Sequence, residues 1–112
     1  PITYDSILCA NELSNQGIKA SVISFLEIKP INHEIIGLCT KAKKIFLIEE
    51  HSKVQSPMTY LISLLVEKKI KTDIYHFGIE DKFTEEVGSR DFLLKYHKLD
   101  SINLAERIKK LI

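Results

Sequence analysis

The chain has 112 residues, which is enough for one packed domain and too few for two. Its 16 basic and 15 acidic side chains nearly cancel, so its charge predicts neither nucleic acid nor an anionic membrane as a partner. No apolar run approaches the roughly 20 residues of a membrane span and no secretory signal is visible, so we expect a cytoplasmic protein. Cys9 and Cys39 lack the spacing of a metal site, and buried free thiols are favoured over a disulfide between them.

The first half of the sequence predicts helices that alternate with strands. Residues 3–16 carry apolar side chains at helical spacing and end at Gly17, which predicts a helix. Residues 18–25 alternate in polarity and are rich in β-branched side chains, which predicts a strand. Asn32 is a suitable cap for a short helix that ends near Lys41.

The second half begins with residues 44–50, a short apolar run that is typical of a strand buried on both faces. Ser56, followed by proline, predicts the start of a helix to about Lys68. That helix is apolar nearly all round, so its outer positions are candidates for contact with another domain or a symmetry mate. The remaining predicted elements are a strand at 72–77, a helix from Ser89 to about His97, and a helix from Asp100 or Ser101 to the C-terminus.

This order of elements predicts an α/β fold, a three-layer α/β/α sandwich with a mostly parallel sheet, in one domain over residues 1–112. Three strands are few for a sheet that helices cover on both faces. We therefore expect that the sheet has a further, first strand that is not in this sequence. That strand would precede this chain in a longer protein or come from another chain.

The strongest candidate for chemistry is the polar end of the strand at 44–50, where Glu49, Glu50, His51 and Ser52 follow one another. The carboxyl ends of parallel strands are where such sheets place ligand crevices and domain contacts. A histidine beside carboxylates can act as an acid or base. The alternative is a strand end that reaches solvent or a seam between domains.

Other polar residues give weaker signals. Ser89 and Arg90 start a predicted helix and could contact an anion, or be an ordinary cap with a solvated arginine. His76 lies between two aromatic residues of a strand and is expected to be hydrogen-bonded and half-buried. No histidine pair has zinc spacing, so no metal ligand is predicted.

Several segments in order resemble the C-terminal domain of the transketolase family of thiamine-diphosphate enzymes. They are the helix ending in Gly17-Ile18 with the segment after it, Ile28-Lys29-Pro30-Ile31-Asn32, Ile48-Glu49-Glu50-His51-Ser52, Phe77-Gly78-Ile79-Glu80-Asp81-Lys82-Phe83, and Gly88-Ser89-Arg90 with Leu93-Leu94-Lys95-Tyr96. Among the members of the family, these segments most resemble transketolase or its split C-terminal subunit. The resemblance implies a preceding strand that would lie between those at 20–25 and 44–50.

The resemblance implies a non-catalytic assembly domain of an enzyme that transfers a two-carbon ketol unit between sugar phosphates. Thiamine diphosphate and magnesium would then be bound by other domains or another subunit, and this chain alone would be inactive, without catalytic, cofactor or metal residues. The implied assembly is a homodimer or a heterotetramer, in which Glu50, His51, Ser52, Ser89 and Arg90 are the candidate interface or anion contacts.

Three alternatives stay open: the same domain of 1-deoxyxylulose-5-phosphate synthase, the same domain of a 2-oxoacid dehydrogenase β subunit, or a non-enzymatic binding or assembly module. One departure from the family concerns its usual Gly-Gly-x-Gly turn, which here reads Val54-Gln55-Ser56-Pro57-Met58. Since Pro57 lacks an N–H and Ser56 can cap the helix itself, an anion site in this turn is disfavoured.

Overall fold

A computed structural model describes residues 2–24, 33–52, 56–79 and 90–112. Within these ranges five helices and two strands confirm the α/β class. In chain order they are α1 (Ile2–Asn15), α2 (His33–Lys41), β1 (Lys44–Ser52), α3 (Pro57–Glu67), β2 (Asp73–Ile79), α4 (Arg90–Tyr96) and α5 (Ser101–Leu111).

The chain forms two compact units. The first unit comprises residues 1–24 and 82–112, and its described elements are α1, α4 and α5. The second unit comprises residues 25–81 and contains α2, β1, α3 and β2. The single domain over residues 1–112 stays a prediction.

The two strands pair in parallel, as the alternating order of elements predicts. Lys44 lies opposite Asp73, and the pairing continues residue by residue to Ile48 opposite Phe77. On one face of this sheet the ring of Phe46 stacks on Tyr75, with 5.1 Å between the ring centroids. This aromatic pair joins directly opposed positions, where cross-strand contacts stabilise a sheet most.

The predicted strand at 18–25 is wrong for the residues that the structure describes. Residues 18–24 carry no strand, and residue 25 lies outside the described ranges. A strand is maintained by ladder hydrogen bonds to a neighbour, and no described residue pairs with this segment. β-branched composition expresses a preference for a pleated surface and cannot supply those bonds alone.

The core of the second unit lies between the helices and one face of the sheet. Leu61 and Leu65 of α3 are fully buried there, together with Cys39 of α2 and Leu47 of β1. Partly buried hydrophobic side chains complete this cluster: Ile35, Ile36, Ile45, Met58, Ile62, Ile70 and Ile74. Burying a leucine contributes roughly 1.5–3 kcal/mol, so α3 is held mainly by these contacts.

The predicted all-round burial of α3 is only partly confirmed. Among the side chains of α3 that the structure describes, the exposed ones are Thr59, Ser63, Val66 and Glu67, which recur at helical spacing and form one face. Only Val66 among them is apolar, with 67% of its surface exposed. Contact of this face with another domain stays a prediction.

In the first unit, α1 packs against α5. Cys9 and Leu13 of α1 are buried, and the buried positions of α5 are Leu104, Ala105 and Ile108. Both cysteines of the chain are buried free thiols, as the sequence predicts. No helix within the described ranges is long and apolar enough to cross a bilayer.

Three helices end in the same hydrogen-bonded motif, in which a residue with positive φ follows the last turn. These residues are Gly17 (φ 82°), Lys69 (φ 56°) and Lys98 (φ 58°). The next N–H in each case bonds to the carbonyl five residues earlier: Ile18 to Leu13 (2.9 Å), Ile70 to Leu65 (3.1 Å) and Leu99 to Leu94 (2.8 Å). This is the Schellman arrangement, and in each an apolar side chain follows the positive-φ residue.

The predicted helix starts are confirmed where they are described. The Ser56 hydroxyl accepts a hydrogen bond from the Thr59 N–H at 3.3 Å and caps α3. Asp100 caps α5 by accepting from the Asn103 N–H. The predicted caps Asn32 and Ser89 lie outside the described residues.

Candidate functional site

The strand that the sequence predicts at 44–50 is two residues longer in the structure, since β1 continues through His51 to Ser52. Glu49 is buried, with 5% of its surface exposed, and Glu50 is half-buried. The first carboxylate of the Glu-Glu-His-Ser run therefore faces the interior of the protein.

The pairing of the strands becomes irregular at this point. Ile48 lies opposite Phe77 and Ser52 lies opposite Ile79, so residues 49–51 of β1 face the single residue Gly78 of β2. Extra residues on one strand of a pair bend it and re-aim its side chains. The irregularity thus coincides with the polar run.

Glu49 forms a buried hydrogen bond with His76 of β2, between its Oε2 and the imidazole Nε2. Only 6% of the Glu49 side chain and 13% of the His76 side chain are exposed. The Nε2–H donates and the carboxylate accepts. A buried carboxylate without a partner would cost several kcal/mol, so each group is the reason the other can be buried.

The pair occupies one face of the sheet. His76 lies opposite Leu47, and Glu49 follows two residues after Leu47, so alternation places all three on the same face. Leu47 belongs to the hydrophobic cluster with α2 and α3. The hydrogen bond therefore joins β1 to β2 at the edge of a hydrophobic core.

An imidazole oriented by a carboxylate is one component of nucleophilic catalysis, in which a hydroxyl or thiol on the other ring nitrogen completes the set. Within the described residues no serine, threonine or cysteine hydrogen-bonds to His76. The hydrogen bond between Glu49 and His76 can hold the two strands together, but among the described residues no hydroxyl or thiol is placed for His76 to activate.

The start of α3 follows β1 in the chain. Ser56 is buried, and its hydroxyl lies 3.2 Å from the Thr59 hydroxyl as well as capping the helix. The free N–H groups of a helix start can bind anions. Here one of them already has the Ser56 hydroxyl as its acceptor, as the sequence predicts for this turn.

The predicted contact residues are distributed over both units. Glu50, His51 and Ser52 are the last three residues of β1 in the second unit. Arg90 is the first residue of α4 in the first unit, and Ser89 lies outside the described residues. Their role as interface or anion contacts stays a prediction.

No cluster of three or more histidine, cysteine, aspartate or glutamate side chains able to hold a metal ion occurs in the described ranges. The sequence predicts Glu49 as part of an acid/base cluster with its chain neighbours, whereas its partner is His76, which lies 27 residues later. The sequence does contain a signal for this pairing. Each of two largely apolar strands carries an ionisable side chain at an inner position, and two such buried groups tend to pair.

Comparison with known proteins gives a match over most of the chain. The family model described as transketolase, C-terminal domain, matches residues 2–104. A 1-deoxy-D-xylulose-5-phosphate synthase of Chlamydia felis is 33% identical over 98 residues, which cover 87% of this chain and 15% of that protein. A putative transketolase C-terminal section of Methanocaldococcus jannaschii is also 33% identical over 98 residues, covering 86% of this chain and 29% of that protein.

A further 1-deoxy-D-xylulose-5-phosphate synthase, from Caldanaerobacter subterraneus, is 29% identical over 104 residues, or 92% of this chain and 17% of that protein. The chain thus spans between 15% and 29% of the length of these three relatives. The similarity concerns one domain of larger proteins.

Proposed function

This chain belongs to the transketolase C-terminal domain family, and from that premise we propose that it is the non-catalytic assembly domain of a thiamine-diphosphate-dependent transferase. The parent enzyme moves a two-carbon ketol unit between sugar phosphates. The observation that carries the proposal is the family match over residues 2–104. The remainder of the enzyme, fused or separate, binds cofactor and substrate.

The geometry of the polar strand end supports an assembly role. Glu49 and His76 bond to each other and join β1 to β2. Glu50, His51 and Ser52 then follow at the carboxyl end of the strand, the edge where parallel sheets meet ligands and other domains. We assign these three residues, with Ser89 and Arg90, to contacts with the other domains or subunit.

When bound, thiamine diphosphate supplies the electron sink for the transferred carbon unit. The diphosphate would need a magnesium ion, which prefers carboxylate oxygens as protein ligands. The donor set in the described ranges does not fit such an ion, because no metal-binding group of acidic or histidine residues occurs there. Following the family resemblance, we propose that the cofactor lies in the remainder of the enzyme and that the assembled enzyme is a homodimer or a heterotetramer.

A second candidate is the corresponding domain of a 1-deoxy-D-xylulose-5-phosphate synthase. Two relatives of that name are 33% and 29% identical to this chain. The product of that enzyme carries a methyl group where a ketose has a hydroxymethyl group, so the transferred unit differs. The two candidates share the fold and the assembly role and differ in the donor.

Reconstitution tests the proposal. Two-carbon ketol transfer is measured with the chain alone, with the remainder of the enzyme alone, and with both together. We expect activity only when both are present. Activity of the chain alone, or full activity without it, would overturn the assembly role. Parallel assays for the formation of 1-deoxy-D-xylulose 5-phosphate separate the two candidates.

A further inference from the structure

The edge of the sheet opposite the polar strand end carries a concentration of lysines. Because the strands are parallel, both begin at this edge, with Lys44 opposite Asp73. The Thr72 hydroxyl donates to the Ala42 carbonyl at 3.2 Å and lies 3.4 Å from the Cys39 carbonyl. These bonds hold the segment before β2 against the segment before β1, so the two segments form one surface.

Five lysines on these two segments are exposed: Lys41, Lys43, Lys68, Lys69 and Lys71, hereafter the lysine edge. Lys44 differs from them, because its Nζ lies 3.1 Å from Asp73 Oδ2 and this hydrogen bond raises the pKa of Lys44. No carboxylate in the described ranges forms an ion pair with any member of the lysine edge.

Charge is therefore unevenly distributed in the chain. Residues 41–44 and 67–73 hold six lysines and two acidic residues, a net charge of +4, whereas the whole chain has a net charge of +1. Cations at the end of a helix are favoured by its dipole, which accounts for Lys41 and Lys68 at the ends of α2 and α3. The other three lysines lie beyond the helices, and the dipole does not explain them.

Lys69 follows the last turn of α3 with a φ of 56°, a conformation that favours glycine. Lys98 has the same conformation after α4, so the positive φ belongs to the helix end and is not itself a sign of function. What Lys69 adds to the lysine edge is its exposed charge.

We propose that the lysine edge is a docking surface for an acidic segment of a partner protein. This inference does not depend on the proposed function. A nucleic acid is disfavoured because residues 41–44 and 67–73 contain no arginine and no aromatic side chain for bidentate contacts or base stacking. A membrane surface is disfavoured because Ile70, the large apolar residue of these segments, packs against the hydrophobic cluster and is not free to insert.

The chain offers a matched pair of variants for the test. Lys69→Gly removes one charge of the lysine edge at a position that suits glycine, so the variant keeps its fold. Lys98→Gly removes the same charge at the same kind of position, with φ 58°, in the other unit. A third variant, Lys68→Glu with Lys71→Glu, reverses two charges of the edge. Circular dichroism verifies folding in each case.

Binding to a short poly-glutamate peptide is measured by fluorescence anisotropy. We expect Lys69→Gly to weaken binding about two- to fivefold, the scale of one exposed ion pair, and Lys98→Gly to leave it unchanged. The double reversal should weaken binding by about tenfold or more, and so should raising the salt from about 50 to about 200 mM.

Equal losses in the two glycine variants would overturn the proposal, because net charge and not the lysine edge would then govern binding. No binding by the parent chain at low salt would overturn it as well. Tighter binding to a single-stranded oligonucleotide of equal charge, or to phosphatidylserine vesicles, would reject an acidic protein segment as the ligand. If the double reversal does not fold, the comparison of the glycine variants decides the matter.

Discussion

The buried pair of Glu49 and His76 makes a quantitative prediction about stability. Only 6% and 13% of the two side chains are exposed, and each is the other's hydrogen-bond partner. Replacing one of them by leucine leaves the other buried without a partner, which should lower the free energy of unfolding by about 3 kcal/mol. Replacing both removes the unpaired group, so the double variant should lose less than the sum of the single losses.

The measurement is a double-mutant cycle of Glu49→Leu, His76→Leu and the double variant in urea, followed by circular dichroism. We expect a coupling energy of about 2 kcal/mol or more. Glu67→Leu, at an exposed carboxylate of α3, is the control and should change stability by about 0.5 kcal/mol or less. Additive losses, with coupling below about 0.5 kcal/mol, would show that Glu49 and His76 do not depend on each other.

Three further predictions concern the core, the helix ends and the thiols. Leu65→Ala should lower the free energy of unfolding by about 2–5 kcal/mol, because Leu65 is fully buried. Val66→Ala, at a neighbouring side chain that is 67% exposed, should change it by about 0.5 kcal/mol. Urea denaturation measures both, and equal losses would contradict the burial of Leu65 in the core. Lys69→Gly and Lys98→Gly should each raise the free energy of unfolding by about 1 kcal/mol, because both residues have positive φ. Thermal unfolding measures this change, and a lower melting temperature in either variant would contradict backbone strain at that lysine. Burial raises the pKa of Cys9 from 9.0 to about 11, so the folded state holds this proton more tightly than the unfolded state. Stability should therefore fall as the pH rises from 9 toward 11, and Cys9→Ala should remove that part of the fall; an unchanged pH profile in the variant would contradict it.

Helix boundaries were the most predictable part of this fold, because the residues that fix them act locally. Gly17 ends α1 with positive φ, and Ser56 and Asp100 cap α3 and α5 with their own side chains. Such signals need only a few neighbours in sequence. The ends of α3 and α4 near Lys68 and His97 were predicted, but the positive φ of Lys69 and Lys98 was not, because lysine carries no preference for that conformation.

The predicted strand is wrong over residues 18–24 for the opposite reason, since a strand depends on a neighbour that local sequence does not contain. The pairing of Glu49 with His76 also depends on which strands are adjacent and in what register. The composition of the strand end could be read from the sequence. Which of its side chains faces the interior could be derived only after β1 and β2 were aligned.

In the role proposed here, this chain contributes assembly and not chemistry. The decisive measurement is the kcat of ketol transfer in the complete enzyme carrying His51→Ala. We expect kcat to change by less than about tenfold. A general acid or base contributes about 10²–10⁴-fold. A loss of about 10³-fold, in an enzyme that sedimentation shows to be fully assembled, would contradict the claim.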